Sequence, residues 1–537
     1  MVDNQESRAV FWKDKHLWAL LFTGGFILLL TVWYSFSMDQ SIFSYGAFLF
    51  KHYGLLPYTG IWDHNTPGAY VIHALALYLF GESIFALRFL DFLFQIGNII
   101  MIYYLALRLS RAKAAGYLAG LCYSIYYFGL GASDSAQREG FALFFILLAV
   151  VLSLVWKDRV WLRAIFCGLI LGFVFLLKSV MGAVWLIFFV WYLLEGFGQR
   201  RKQAWLELAV FCALLVLPTA LTVAVYWHAG ALSELYQDNI WYNYAVYAKL
   251  KYPPHYVQPY FWLLAVPWHF MVDQPLLLIP GIFGVIYGLS GGSRERKLLA
   301  VLAAIMALSL GLFFLQDKYA RYHLIPFTGL ICIFSGWTLH KMGMLIGAAS
   351  GLKTSLSRKI FYALTALILL FQYPTQLSYS LDHAFRDPEQ GYLEGMDFPG
   401  NKLEALSQYQ AARGIARFLQ PDDTIGFFGM YPLIPFLIKK PLPTRFCSIQ
   451  QMIYVPVNGK ITLTQLKWRQ EYIESMIKAR PRYFILANMD LGLPTDVPSN
   501  RFKDALVQDF PELNAFLNTN YSKIANYGLT EFYRLND

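Results

Sequence analysis

Charge is what this chain has least of. Only 15% of its 537 residues are Asp, Glu, Lys or Arg, against 57% hydrophobic ones, too little polar surface to cover a soluble globular interior. Cysteine is scarce as well. Of five, Cys122, Cys167, Cys212 and Cys332 fall inside apolar runs and Cys447 stands alone, which excludes a disulfide framework and a paired-cysteine metal site. There is no repeat at a fixed period and no low-complexity tail. Nor is there a single basic face. The net charge of +10 comes in short clusters between apolar segments, where it sets orientation in a membrane, so no nucleic-acid partner is expected.

Long apolar runs are what the chain has in abundance. A membrane-crossing helix needs about 20 mostly apolar residues, and the runs at 17–36, 84–107, 115–130, 139–156, 162–177, 179–194, 205–226, 274–290, 298–315, 322–339 and 360–377 make eleven. The first, from Leu17 to Tyr34, exceeds a signal-peptide core and lacks a small-residue cleavage site, so it reads as a retained anchor. Pro259, Pro267, Pro275 and Pro280 interrupt the region before 290, where one apolar piece can instead lie along the interface. Clusters such as Arg8/Lys13/Lys15, Arg108/Arg111/Lys113, Lys157/Arg159/Arg163, Arg200/Arg201/Lys202, Arg294/Arg296/Lys297 and Lys341/Lys353/Arg358/Lys359 fall on alternate loops, and the positive-inside rule makes that side cytoplasmic. An odd number of spans then puts the C-terminal region outside.

The expected fold class is mainly α: a polytopic protein of about eleven transmembrane helices at 1–379, with a first outer loop at 37–83 and a C-terminal extracytoplasmic α/β domain at 380–537. In that domain "DDTIGFFG", "RYFILAN" and "TEFYRL" read as strands, separated by the helical patterns "LEALSQYQAARGIARFL" and "TQLKWRQEYIESMIKA".

The polar residues that remain gather on the outer side. Asp39 follows the first span, Asp63 lies further along the loop, and "NTPG" at 65–68 forces a turn before the next apolar run. Asp63 suits both an Asx turn supporting that sequence and a site carboxylate. Glu139 opens the fourth span beside Arg138, and Lys178 sits between two apolar runs, where a lysine costs roughly 2.5–3.5 kcal/mol at mid-membrane and requires a partner. The connection "QDKYARYH" supplies Lys318, Arg321, Tyr322 and His323. The aromatic loop "YQDNIWYNYAVYAKLKYPPHY" holds Asn239, and His255 and His269 read as structural.

These features together resemble a known family. "MDQSIFSYGAFLF…GLLPYTGIWDHNTPGAYVIHALALYLFG" resembles the first outer loop of GT-C-fold glycosyltransferases, in the protein O-mannosyltransferase and lipid A aminoarabinose transferase group (glycosyltransferase family 39-like). "DSAQREGFALFFILLAV", "LGFVFLLKSVMGAVWL" and "QDKYARYHLIPFTGL" resemble further family segments in the same order, and the likeness covers residues 17–340 in outline. Gln40 stands where the family often has Glu, and "HNTPG" replaces its frequent Lys-Pro-Pro turn.

The resemblance implies transfer of a hexose or pentose from a polyprenyl phosphate to a hydroxyl of an envelope glycan, lipid or protein, with inversion at the anomeric carbon. The acceptor hydroxyl must lose a proton, and a nearby carboxylate can take it. Asp39 is the expected general base, and Asp63 its neighbour, acceptor ligand or cation ligand. The departing phosphate calls for fixed cations; Lys178, Arg138, Lys318 and Arg321 are the candidates, with Tyr322 and His323 as hydrogen-bonding groups and Glu139 and Asn239 lining the site. No cofactor is implied, and a divalent cation stays open because the oxygen ligands have no diagnostic spacing. The expected setting is a bacterial inner membrane. The alternatives are a lipid or sugar transporter or flippase, and an inactive receptor whose outer domain binds glycans.

Overall fold

The computed structural model describes residues 12–199, 201–250, 275–292, 295–316, 318, 320–349, 354–374, 376–378, 405–430, 432–455, 459–487 and 502–536. Arg8, Arg200, Arg294, Lys353, His255, His269, Pro259 and Pro267 lie outside these residues.

Each of the eleven apolar runs carries a helix: Lys15–Leu29, Ile84–Ser110, Lys113–Gly129, Arg138–Val155, Val160–Leu177, Trp185–Gln199, Arg201–His228, Pro275–Tyr287, Arg296–Gln316, Ile325–Ala349 and Thr354–Leu370. Seven helical segments among the described residues are long and apolar enough to cross a membrane by themselves, including Arg138–Val155, Val160–Leu177 and Arg321–Ala349. The last helix starts six residues before the expected 360 and ends at Leu370, because a helix extends through the polar "TSLSRK" as readily as through the apolar stretch that follows.

Contacts divide the chain into two compact units. The first comprises Met1–Val32, Arg88–Leu221 and Gln258–Ala384. Its helices approach closely where side chains vanish. Gly168 and Gly172, spaced as in a small-xxx-small pair, lie so near helix Arg201–His228 that an added Cβ would sit 2.7 Å from the Phe211 carbonyl and 2.4 Å from that of Leu215. A buried cation of this unit is paired twice: the Arg163 guanidinium donates to Glu195 at 2.7 Å and to Glu207 at 2.8 Å, and lies over the Tyr192 ring.

The second unit comprises Trp33–Leu87, Thr222–Val257 and Phe385–Asp537. It is built on a four-stranded sheet, β1 (Ile425–Phe428), β2 (Tyr483–Ala487), β3 (Tyr521–Tyr527) and β4 (Thr530–Leu535), in the order β1-β2-β4-β3. β1 and β2 run parallel, with Ile425 opposite Tyr483, and the other pairings are antiparallel. Every residue of β1 and β2 is buried, as a sheet covered on both faces requires. Alternation sorts them: Ile425, Phe427, Tyr483 and Ile485 pack against Ala411 and Ile415 of helix Ala405–Ala416, while Phe428, Phe484 and Leu486 pack with Trp468, Tyr472 and Phe510. The helix Leu463–Ala479 that joins β1 to β2 starts at a capping box formed by Thr462 and Gln465. β3 is an edge strand whose register against β4 slips between Lys523 and Ala525.

Candidate functional site

Within the first unit, three helix breaks meet. Arg138–Val155 and Val160–Leu177 are joined by a four-residue connection, so the start of one and the end of the other lie at the same level. Glu139 occupies the first turn of the former, and Lys178 is the extended C-cap of the latter. Each charge sits at the helix end whose dipole favours it. Lys178 donates to Glu139 Oε1, and both side chains are buried. The 3-10 turn Arg321–Leu324 brings His323 Nε2 to 3.5 Å from the same oxygen. Tyr322 stacks edge-on against His323 at 4.6 Å, and the Lys178 ammonium lies 5.9 Å from the Tyr322 ring centroid.

Arg138, Lys318 and Lys178 all lie within electrostatic reach of His323. Arg321 is exposed, within reach of the Tyr126 hydroxyl. Glu139 Oε2 and His323 Nδ1 are buried and find no hydrogen-bond partner among the described residues. Buried polar atoms in that condition call for a ligand or ordered water. With Glu139 as the acid beside several cations, the arrangement can hold an anion such as a phosphate ester.

The second unit holds Asp39, Asp63 and Asn239. Asp39 is half-buried in the first turn of helix Met38–Tyr53. Gln40, the residue that departs from the family pattern, accepts the Ser37 backbone N–H at 2.6 Å, so it closes the helix start. Asp63 is buried, and its two oxygens accept from the Asn65 side chain at 2.8 Å and the Tyr70 hydroxyl at 2.9 Å; the His64 ring nitrogen is 3.6 Å away. Asp63 thus braces the loop through side-chain donors on Asn65 and Tyr70. Tyr58 holds the same loop from a left-handed backbone (φ 70), a conformation kept only where surroundings enforce it: its hydroxyl donates to the Asn65 carbonyl at 2.6 Å and its N–H to the Ile61 carbonyl at 2.7 Å. Asn239 donates to the His64 carbonyl at 3.2 Å, and Asn243 does so at 2.6 Å.

One pair here escapes sequence reasoning. Asp238, fully buried, accepts from Arg445 Nη1 at 2.7 Å, and burial pushes its carboxyl up to about 8 against the opposing pull of Arg445. An acid among aromatics was the available signal; its partner lies 207 residues away. Among the described residues no group of three or more His, Cys, Asp or Glu is arranged to hold a metal ion.

The family model for dolichyl-phosphate-mannose-protein mannosyltransferases matches residues 63–227. No curated protein sequence matches the chain. Among solved structures, ArnT from Cupriavidus metallidurans in the apo state is similar at 13% identity with a TM-score of 0.55, covering 96% of this chain and 97% of that one. The same protein bound to undecaprenyl phosphate matches over the same shares, at 13% identity and a TM-score of 0.53. Arabinofuranosyltransferase AftD from Mycobacteria aligns at 11% identity and a TM-score of 0.48, over 96% of this chain and 41% of that one. The chain has the GT-C fold of membrane glycosyltransferases, extending through its C-terminal sheet.

Proposed function

We propose that this GT-C-fold membrane protein transfers a monosaccharide from a polyprenyl-phosphate donor to a hydroxyl of an envelope glycan, lipid or protein on the outer face of a bacterial inner membrane, with the region after residue 380 outside the cytoplasm. The observation that carries the reading is the buried Lys178, gathered with Glu139 and His323 at the ends of membrane helices. The match to a dolichyl-phosphate-mannose family and the lipid phosphate bound by ArnT agree with an isoprenoid phosphate as donor.

In this mechanism the acceptor oxygen attacks the anomeric carbon while the bond from that carbon to the phosphate oxygen breaks. The bonding pair leaves with the lipid phosphate. Lys178, Arg138, Lys318 and Arg321 offset its charge, and Tyr322 and His323 hydrogen-bond its oxygens. Asp39, in the first turn of helix Met38–Tyr53, takes the acceptor proton. Asp63 and Asn239 fix the loop that receives the acceptor, Glu139 orients Lys178, and a single displacement inverts the anomeric centre.

The decisive test is Asp39→Asn in a reconstituted transfer assay. Membrane expression is retained and turnover falls by about 10²–10⁴-fold, the usual share of a general base. Normal turnover removes Asp39 from the mechanism. Lipid or sugar movement across proteoliposomes without any new glycosidic bond replaces the enzyme with a transporter.

A further inference from the structure

Helix Ile84–Ser110, long and apolar enough to cross a membrane, buries a stripe of polar side chains that the proposed chemistry does not use. Arg88, Asp91, Gln95 and Asn98 recur at spacings of three, four and three, the pattern of one helix face, and each is fully buried. Ionisable groups inside a membrane segment are costly, so their presence marks a function by default.

The stripe grips the turn that precedes Arg138 and Glu139, and all of these residues belong to the first unit. Tyr127, from helix Lys113–Gly129, donates to Asp91, its oxygen 2.8 and 2.9 Å from the two carboxylate oxygens. The same hydroxyl accepts the Ala136 backbone N–H at 2.8 Å. Ala136 is left-handed (φ 53), a conformation that a non-glycine residue keeps only where its surroundings enforce it. Arg88 holds the turn at two further points, donating to the Ser135 hydroxyl and to the Ala132 carbonyl, both at 2.8 Å.

Beyond the turn, Asn98 donates to the Gly140 carbonyl at 3.4 Å, and a Cβ added to Gly140 would meet Gln95 Nε2 at 3.2 Å. Residues 132, 135, 136 and 140 are therefore fixed by one stripe, and Arg138 and Glu139 lie between them. The remaining bonds brace Asp91 itself: Gln95 donates to it at 2.9 Å, and Tyr123 donates to Gln95 at 2.7 Å.

We propose that Asp91 and Tyr127 are positioning residues for the anion site: by holding Ala136 in its left-handed conformation they fix where helix Arg138–Val155 begins, and so where Arg138 and Glu139 stand relative to Lys178 and a bound phosphate. The phosphate rests on the function proposed above; the grip on the turn does not. Without the Tyr127 hydroxyl the buried Ala136 N–H loses its acceptor, and the turn relaxes, carrying the first turn of the helix with it.

The test is titration of the full-length protein in nanodiscs with undecaprenyl phosphate, beside hydrogen exchange of the 131–140 segment. Tyr127→Phe weakens binding of the lipid phosphate about tenfold and raises exchange across 131–140. Tyr123→Phe takes an equally buried hydroxyl from the same network without touching the turn, and it leaves both readouts unchanged. A loss of packing alone would move the two variants alike. Ala136→Gly, for which the left-handed backbone carries no strain, restores affinity when added to Tyr127→Phe. Equal affinity in the wild type and Tyr127→Phe, equal losses in the two tyrosine variants, or no recovery with Ala136→Gly overturns the inference. A wild type that binds no undecaprenyl phosphate strikes at the donor proposed above instead; exchange then decides the positioning claim, which stands if Tyr127→Phe frees 131–140 and falls if it does not.

Discussion

Two buried carboxylates, one in each unit, are neutralised in opposite ways. Glu139 shares one oxygen between Lys178 and His323 and leaves the other without a partner among the described residues. Asp63 has both oxygens engaged by neutral donors, Asn65 and Tyr70. The first arrangement keeps a cation in place and leaves capacity unused; the second fixes a turn. On the function proposed above, Glu139 serves the ligand site and Asp63 the loop beside it.

Removing the donors should expose that contrast. Lys178→Ala strands Glu139 as a buried charge, and breaking a buried pair from one side costs about 3–5 kcal/mol; thermal unfolding of the purified protein drops accordingly. Adding Glu139→Gln restores most of the stability and none of the transfer. If the single substitution unfolds nothing, Glu139 has another counter-charge and the contrast fails. Tyr70→Phe takes one neutral donor from Asp63 and costs less, about 1–3 kcal/mol, with the turn retained by Asn65; a loss as large as that of Lys178→Ala would place Asp63 in the same class as Glu139.

The smallest effect is a slope. Burial raises Asp238 from its ordinary 3.8 to about 8, so the folded protein holds a proton there that the unfolded chain has released. That contribution is complete below the ordinary value and is lost as pH rises through about 8. Between about pH 4 and about pH 8 the unfolding midpoint of the wild type therefore falls, and Asp238→Asn, which mimics the protonated acid, flattens that fall. An identical slope in both proteins assigns the pH dependence elsewhere.

Much of the fold is legible because the membrane imposes a simple rule: enough apolar length, and the backbone must satisfy itself as helix. The eleven runs obey it, and β1, β2 and β4 are legible as short apolar stretches between helical patterns. β3 was not, because "YSKIANY" buries only Tyr521 and shows no apolar period; its partner strand makes it a strand. The site was legible in composition and not in pairing. A membrane lysine demands a partner, but Glu139 lies 39 residues from Lys178 and Asp238 lies 207 from Arg445, and no local pattern encodes separations of that length. Gln40 shows the reverse case, a departure from the family pattern that local geometry accounts for as a helix start.

The slipped register at Lys523 and Ala525 bears on how copies behave in a crowded membrane. A straight outer strand would offer neighbouring proteins a row of amides on which to add another, and sheets of different molecules would fuse along their rims. The irregularity and the lysine spoil that template. An outer strand of this kind makes a poor template for a neighbour's strand to add to.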